Sequence, residues 1–178
     1  MNSITRYAAI YGGCSGAVII ATIIGGTALA DRISFAGSEF FGYLVMLVAL
    51  TFIFVGIKRY RDIERGGIIR FLPAFGVGLA IALVAAFVYV LVWEVYLAAT
   101  NYAFINDYID GIRHAKQAAG VTGAALDRAM APLEAMRTSY ANPLFRLPMT
   151  FMEIAPVGAV VSLVSAALLR NPRILPAR

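Results

Sequence analysis

The chain is poor in everything that polar chemistry draws on. Only 14% of its 178 residues are charged, against roughly a quarter in an ordinary soluble domain. It has one histidine and one cysteine. A single cysteine, Cys14, cannot close an intrachain disulfide, and inside an apolar run it reads as a small buried hydrophobe. One histidine and no cysteine cluster exclude the paired-histidine and cysteine-based zinc motifs. There is no glycine-rich phosphate loop ending in Lys-Ser/Thr and no nucleophile elbow. Little material is left for acid–base or nucleophilic catalysis, so the expectation is a protein that is not an enzyme and holds no cofactor or resident metal. Nor is there a polar domain to present a groove-reading element, so the net charge of +5 does not point to nucleic acid.

What is abundant is grease. Hydrophobic residues make up 61% of the chain and the mean hydropathy is +0.79, values that belong to a polytopic membrane protein. Crossing hydrocarbon as a helix takes about 20 apolar residues. Four stretches qualify: about 7–29, 40–57, 71–97 and 149–169. Sheets with open edges are excluded at that depth by the cost of unpaired backbone groups. The first stretch ends in Ala28-Leu29-Ala30, which imitates a small-x-small cleavage site, but its apolar run is longer than a signal h-region, so a retained span is expected. The expected fold is an all-α, integral membrane four-helix bundle forming a single transmembrane domain over 1–178. An extracytoplasmic helical hairpin, about 98–142, would lie between spans three and four. Two amphipathic patterns support the hairpin: Tyr102, Ile105, Tyr108, Ile109 and Ile112 as an outward continuation of span three, and Leu126, Met130, Leu133 and Met136 beyond a break at Gly120–Gly123. Pro132 is a potential kink, and Asn142-Pro143 ends the second helix.

Basic residues set the orientation. Lys58, Arg59, Arg61, Arg65 and Arg70 crowd the short link between spans two and three, with Gly66-Gly67 as its turn. Arg6 precedes span one, and Arg170, Arg173 and Arg178 follow span four. The short loop 30–39 carries only Arg32. Basic short loops stay in the cytoplasm, so both termini are expected there. Small residues recur every fourth position in span one (Gly13, Ala17, Ala21, Gly25), span three (Ala74, Gly78, Ala82, Ala86) and span four (Gly158, Ser162, Ala166). Such ridges let helices approach closely where lipid supplies little drive for association. Span two is bulky and faces lipid or fills the remaining gap.

The string Gly56-Ile57-Lys58-Arg59-Tyr60-Arg61-Asp62, followed by Gly66-Gly67, Phe71, Gly76 and Gly78, resembles the hallmark of a bacterial family of small four-span membrane proteins known only as a domain of unknown function. Tyr11-Gly12 and Gly120-Val121-Thr122 add to the likeness, which runs over nearly the whole chain. The resemblance implies four spans and the bacterial inner (cytoplasmic) membrane. It implies no activity and carries no catalytic residue with it.

Three groups of side chains remain as candidates. Lys58, Arg59 and Arg61 are placed to bind anionic lipid headgroups, each worth about 1 kcal/mol near a membrane surface. Equally they are topology anchors, with Asp62 and Glu64 near enough in sequence to pair with Arg59, Arg61 or Arg65. Glu94 and Glu153 fall within spans, where ionisable groups are costly and are functional candidates by default. Glu94 lies about 35 Å along its helix from Phe71, close to the outer boundary, and Glu153 lies beside Pro156. They form either an ion or proton site, or two interfacial residues: Glu94 beside Trp93 and Tyr96, and Glu153 paired with Arg146 or Arg32 or else placed before a span four that starts near Pro156. Asp107, Asp110 and His114 share one helix face by spacing, which suits a divalent metal or, more simply, a solvated face. The leading expectation is a non-catalytic accessory or structural protein of the inner membrane, in contact with anionic lipids and with a second copy or a partner membrane protein. The rival is a small ion- or proton-coupled carrier or channel using Glu94 and Glu153.

Overall fold

The computed structural model describes residues 2–29 and 39–177, with the side chains of 23–29 and 39–44 set aside. The described elements are all helices: α1 Ser3–Leu29, α2 Glu39–Glu64, α3 Phe71–Ala99, α4 Phe104–Ala118, α5 Gly123–Tyr140 and α6 Pro143–Leu169. Three of them are long and apolar enough to cross a membrane: α1 over Ser3–Thr22, α3 and α6. The expected second span lies in α2, a helix of 26 residues whose last turns carry Lys58, Arg59, Arg61, Asp62 and Glu64. The loop bearing Arg32, and Ala30 of the small-x-small triplet, lie outside the described residues.

The chain divides into two compact units, one formed by Met1–Val90 with Phe151–Arg178 and the other by Leu91–Thr150. In the first unit the small-residue ridges of α3 and α6 are buried: Ala74, Val77, Ala82, Ala86 and Ser162 are at most 1% exposed. A methyl on Gly78 would lie 2.7 Å from Ile57 Cδ1 and 2.9 Å from Ser162 Cβ, and one on Gly158 2.8 Å from Ala82 Cβ. The small residues therefore permit contact between α3, α6 and α2. In α1 the packed face differs from the expected one. A methyl on Gly13 meets nothing within 4 Å, whereas methyls on Gly12 and Gly16 would collide with Val84 and Val88 of α3. Ala17 and Ala21 are exposed. Small size was legible, but the four-residue register was off by one, because Gly12, Ser15, Gly16 and Ile19 form an equally good ridge. Ser15 Oγ fixes that face by donating to the Ala49 carbonyl of α2 at 2.7 Å. Cys14, expected to be buried, is exposed on the other side of α1. In α2, Leu50, Ile53 and Ile57 are fully buried while Leu47, Val48 and Val55 are exposed, so this bulky helix both packs and presents an apolar outer face.

In the second unit α4 and α5 lie against each other around Leu97, Ile105, Ile109, Leu126 and Met130. Span three does not continue into α4. Asn101, at φ 51°, ends α3: the Tyr102 N–H bonds the Leu97 carbonyl at 2.7 Å and the Asn101 N–H bonds that of Ala98. This is the double bond of a left-handed C-terminal cap, a conformation that asparagine tolerates better than most residues. α5 runs unbroken through Pro132. α6 begins at Pro143, two turns before the expected start of span four, because proline suits the first helical position and Asn142 Oδ1 accepts from the Leu144 N–H at 3.0 Å.

Candidate functional site

At the end of α2 the basic cluster is largely matched from within. Arg61 is 0% exposed. Its Nε donates to Asp62 Oδ1 at 2.7 Å, Nη1 to the carbonyls of Ile174 at 2.9 Å and Leu169 at 3.4 Å, and Nη2 to that of Leu175. Leu169 closes α6, so Arg61 satisfies a carbonyl that a helix C-terminus leaves open and ties the following segment to α2. Lys58 Nζ lies 2.6 Å from the second oxygen of Asp62. Burial pushes the Asp62 carboxyl up, but the hydrogen bonds and charges of Lys58 and Arg61 together outweigh it and hold the carboxyl below its ordinary value. Arg6 reaches Glu64 at 2.8 Å, and Arg65 lies over the Tyr60 ring while donating to its hydroxyl at 3.2 Å. Of the three residues expected to meet headgroups, Arg61 is therefore withdrawn from the surface and Lys58 is partnered. Only Arg59 is exposed without a carboxylate partner among the described residues.

The turn that follows needs glycine. Gly66 and Gly67 have φ of 59° and 87°, the left-handed region where a side chain is strained. Ala177 Cβ lies 3.1 Å from where a methyl on Gly67 would sit, so the C-terminal segment lies close over the turn.

Glu94 lies in the second unit, where Arg146 grips it with both ends of the guanidinium, Nε to Oε1 and Nη2 to Oε2, each at 2.7 Å. Arg146 is 3% exposed. Its Nη1 donates to the Tyr140 carbonyl at 2.9 Å, and its cationic carbon lies 5.0 Å from the Tyr102 ring centre and 5.7 Å from that of Tyr140. Trp93 Nε1 donates to the Tyr140 hydroxyl at 2.8 Å. Each of the three guanidinium nitrogens thus donates to a partner in the same unit, and two aromatic rings lie close to the cation. An arginine of this kind is held in place by shape as well as charge.

Glu153 lies in the first unit, exposed, and accepts from the Tyr89 hydroxyl of α3 at 3.0 Å. Arg146 pairs with Glu94 instead of it, and Arg32 lies outside the described residues. No cation lies within ion-pair distance of Glu153 among the described residues. It sits ten residues beyond Pro143, where α6 begins, about 15 Å along the helix. The sequence cue for Tyr89 is slight, a tyrosine inside an apolar span.

On α4 and α5, Asp110 accepts from Arg137 at 2.8 Å and Glu134 from Arg113 at 2.7 Å. Asp107 and His114 have no ion-pair partner among the described residues. Among the described residues no three histidine, cysteine or acidic side chains come together as metal ligands.

Residues 6–171 match a family described as Protein of unknown function (DUF4199), and the chain belongs to that family. No curated protein and no solved structure matches the chain.

Proposed function

We propose that this member of the DUF4199 family crosses the bacterial inner membrane four times, the second time through α2. In this reading the basic end of α2 and both termini face the cytoplasm, α4 and α5 form a helical hairpin on the outer side, and the protein serves as a non-catalytic accessory or structural component of the membrane. The observation that carries this reading is the way its charges are used. Glu94 is neutralised by Arg146 with bidentate geometry, and Lys58, Arg61 and Asp62 form a closed set. Ionisable groups in or beside spans are costly unless partnered, and these groups satisfy one another without a transported ion.

The carrier reading rests best on Glu153. Among the described residues this carboxyl in a span has a single hydrogen-bond partner, and such a residue would suit an ion or proton step. Purified protein in sealed liposomes separates the two. The accessory reading predicts no ion or proton flux above protein-free liposomes. Flux that disappears in Glu153→Gln would replace it with the carrier, which would then run on Glu153 without Glu94.

A further inference from the structure

The cations at the end of α2 and around it fall into two classes. Asp62 and Glu64 are used by Lys58, Arg61 and Arg6, and Arg65 rests on Tyr60. Arg59, Arg70, Arg170 and Arg173 are all exposed, and none has a carboxylate within ion-pair distance among the described residues. They belong to one end of the first unit. Arg61 binds the carbonyls of Leu169, Ile174 and Leu175, which bracket Arg170 and Arg173. Gly67, three residues before Arg70, lies against Ala177.

The free arginines are not set in a polar surface. Arg70 directly precedes α3, and its neighbours Ile68 and Leu72 are 66% and 75% exposed. Facing water, two such side chains gain nothing. At the boundary of a bilayer they enter the acyl region while the guanidinium between them reaches back to phosphate level. Guanidinium groups favour phosphate because their paired N–H donors match two phosphate oxygens.

From this juxtaposition we propose that Arg59, Arg70, Arg170 and Arg173, with Ile68 and Leu72 as the apolar rim, form a binding site for the phosphate headgroup of an anionic phospholipid of the bilayer. The inference rests on the membrane placement above and names the partner of that basic edge. It moves the site from Lys58 and Arg61, which serve the fold, to the arginines that the fold leaves free.

The test is a lipid titration of the full chain in neutral-detergent micelles, with bound lipid counted by native mass spectrometry. Phosphatidylglycerol should bind at least about tenfold more tightly than phosphatidylcholine, because only the former adds a net charge for the arginines to meet. Arg59→Gln with Arg70→Gln should weaken phosphatidylglycerol by roughly thirtyfold, two surface charges' worth, and Arg170→Gln with Arg173→Gln should do likewise. Arg128→Gln, which removes an exposed charge from α5 in the other unit, should leave binding within about twofold. Among the described residues the substituted arginines have no carboxylate partner, so these variants should elute as the parent does. Equal binding of the two lipids, or a preference that survives both double variants, overturns the site. Displacement of the lipid by inorganic phosphate at equal concentration would also overturn it, by showing a site for the free anion. A chain that leaves membranes on alkaline carbonate washing would instead overturn the membrane placement itself.

Discussion

Glu94 and Arg146, 52 positions apart, meet in two hydrogen bonds of 2.7 Å each, one residue from near the end of α3 and the other from the first turn of α6. A carboxylate and a guanidinium that both stand beside apolar helix are tolerable there only as a pair. Removing one member leaves the other uncompensated, which typically costs about 3–5 kcal/mol when the site is fully buried. Glu94 keeps 25% of its side chain exposed, so the expected loss is lower. Arg146→Ala or Glu94→Ala should lower unfolding stability in micelles by about 2–4 kcal/mol. Arg146→Lys should recover little, since an ammonium cannot make the two-pronged contact. Replacing both by leucine should be milder than either alanine variant. A lysine variant as stable as the parent would show that charge alone matters.

Glycines of the same helices should respond in opposite directions. Gly16→Ala would place a methyl 2.3 Å from Val88 Cγ1, and Gly158→Ala one 2.8 Å from Ala82 Cβ. Neither neighbour has a flexible end to move aside, so both variants should lose about 1–3 kcal/mol through overpacking. Gly13→Ala and Gly76→Ala meet nothing within 4 Å. They should be neutral or gain up to about 1 kcal/mol from helix propensity. Thermal unfolding of the four variants side by side checks this, and a stable Gly16→Ala together with a damaged Gly13→Ala would return α1 to the other register.

Asp62 ties the basic end to acidity. Lys58 and Arg61 hold its carboxyl below the ordinary value despite its burial. A depressed folded-state pKa contributes stability that is complete above the unfolded value, about 4, and is lost as pH falls through the folded value. Unfolding followed from pH 7 downward should therefore show a loss beginning near the ordinary carboxylate range. Asp62→Asn should flatten that part of the profile and lower stability at pH 7. A profile unchanged by Asp62→Asn would mean that the carboxylate does not hold Arg61.

The sequence made some of this plain and hid the rest for identifiable reasons. The helical content, the spans in α3 and α6, and the ridges Ala74–Ala86 and Gly158–Ala166 follow from hydropathy and residue size, which act locally. The bond between Arg61 and Asp62 was open to inspection because the two are adjacent. By contrast, Arg6 with Glu64, Arg146 with Glu94, and Tyr89 with Glu153 join positions more than 50 apart, and charge alone could not choose among several equally plausible partners. The ridge of α1 was read one residue out of place because Gly12, Gly13 and Gly16 offer two smooth faces. The burial of Arg61 had no sequence cue, since its partners are main-chain carbonyls, which every residue carries.

The most direct test of the account is the sidedness of two engineered cysteines, Pro172→Cys and Ala125→Cys, in a Cys14→Ser background. Both positions are exposed, one in the segment after α6 and one on α5. Four crossings with the basic end inside predict that a membrane-impermeant maleimide labels Ala125→Cys in intact cells and Pro172→Cys only after permeabilisation. Labelling of Pro172→Cys in intact cells at the rate of Ala125→Cys would contradict it.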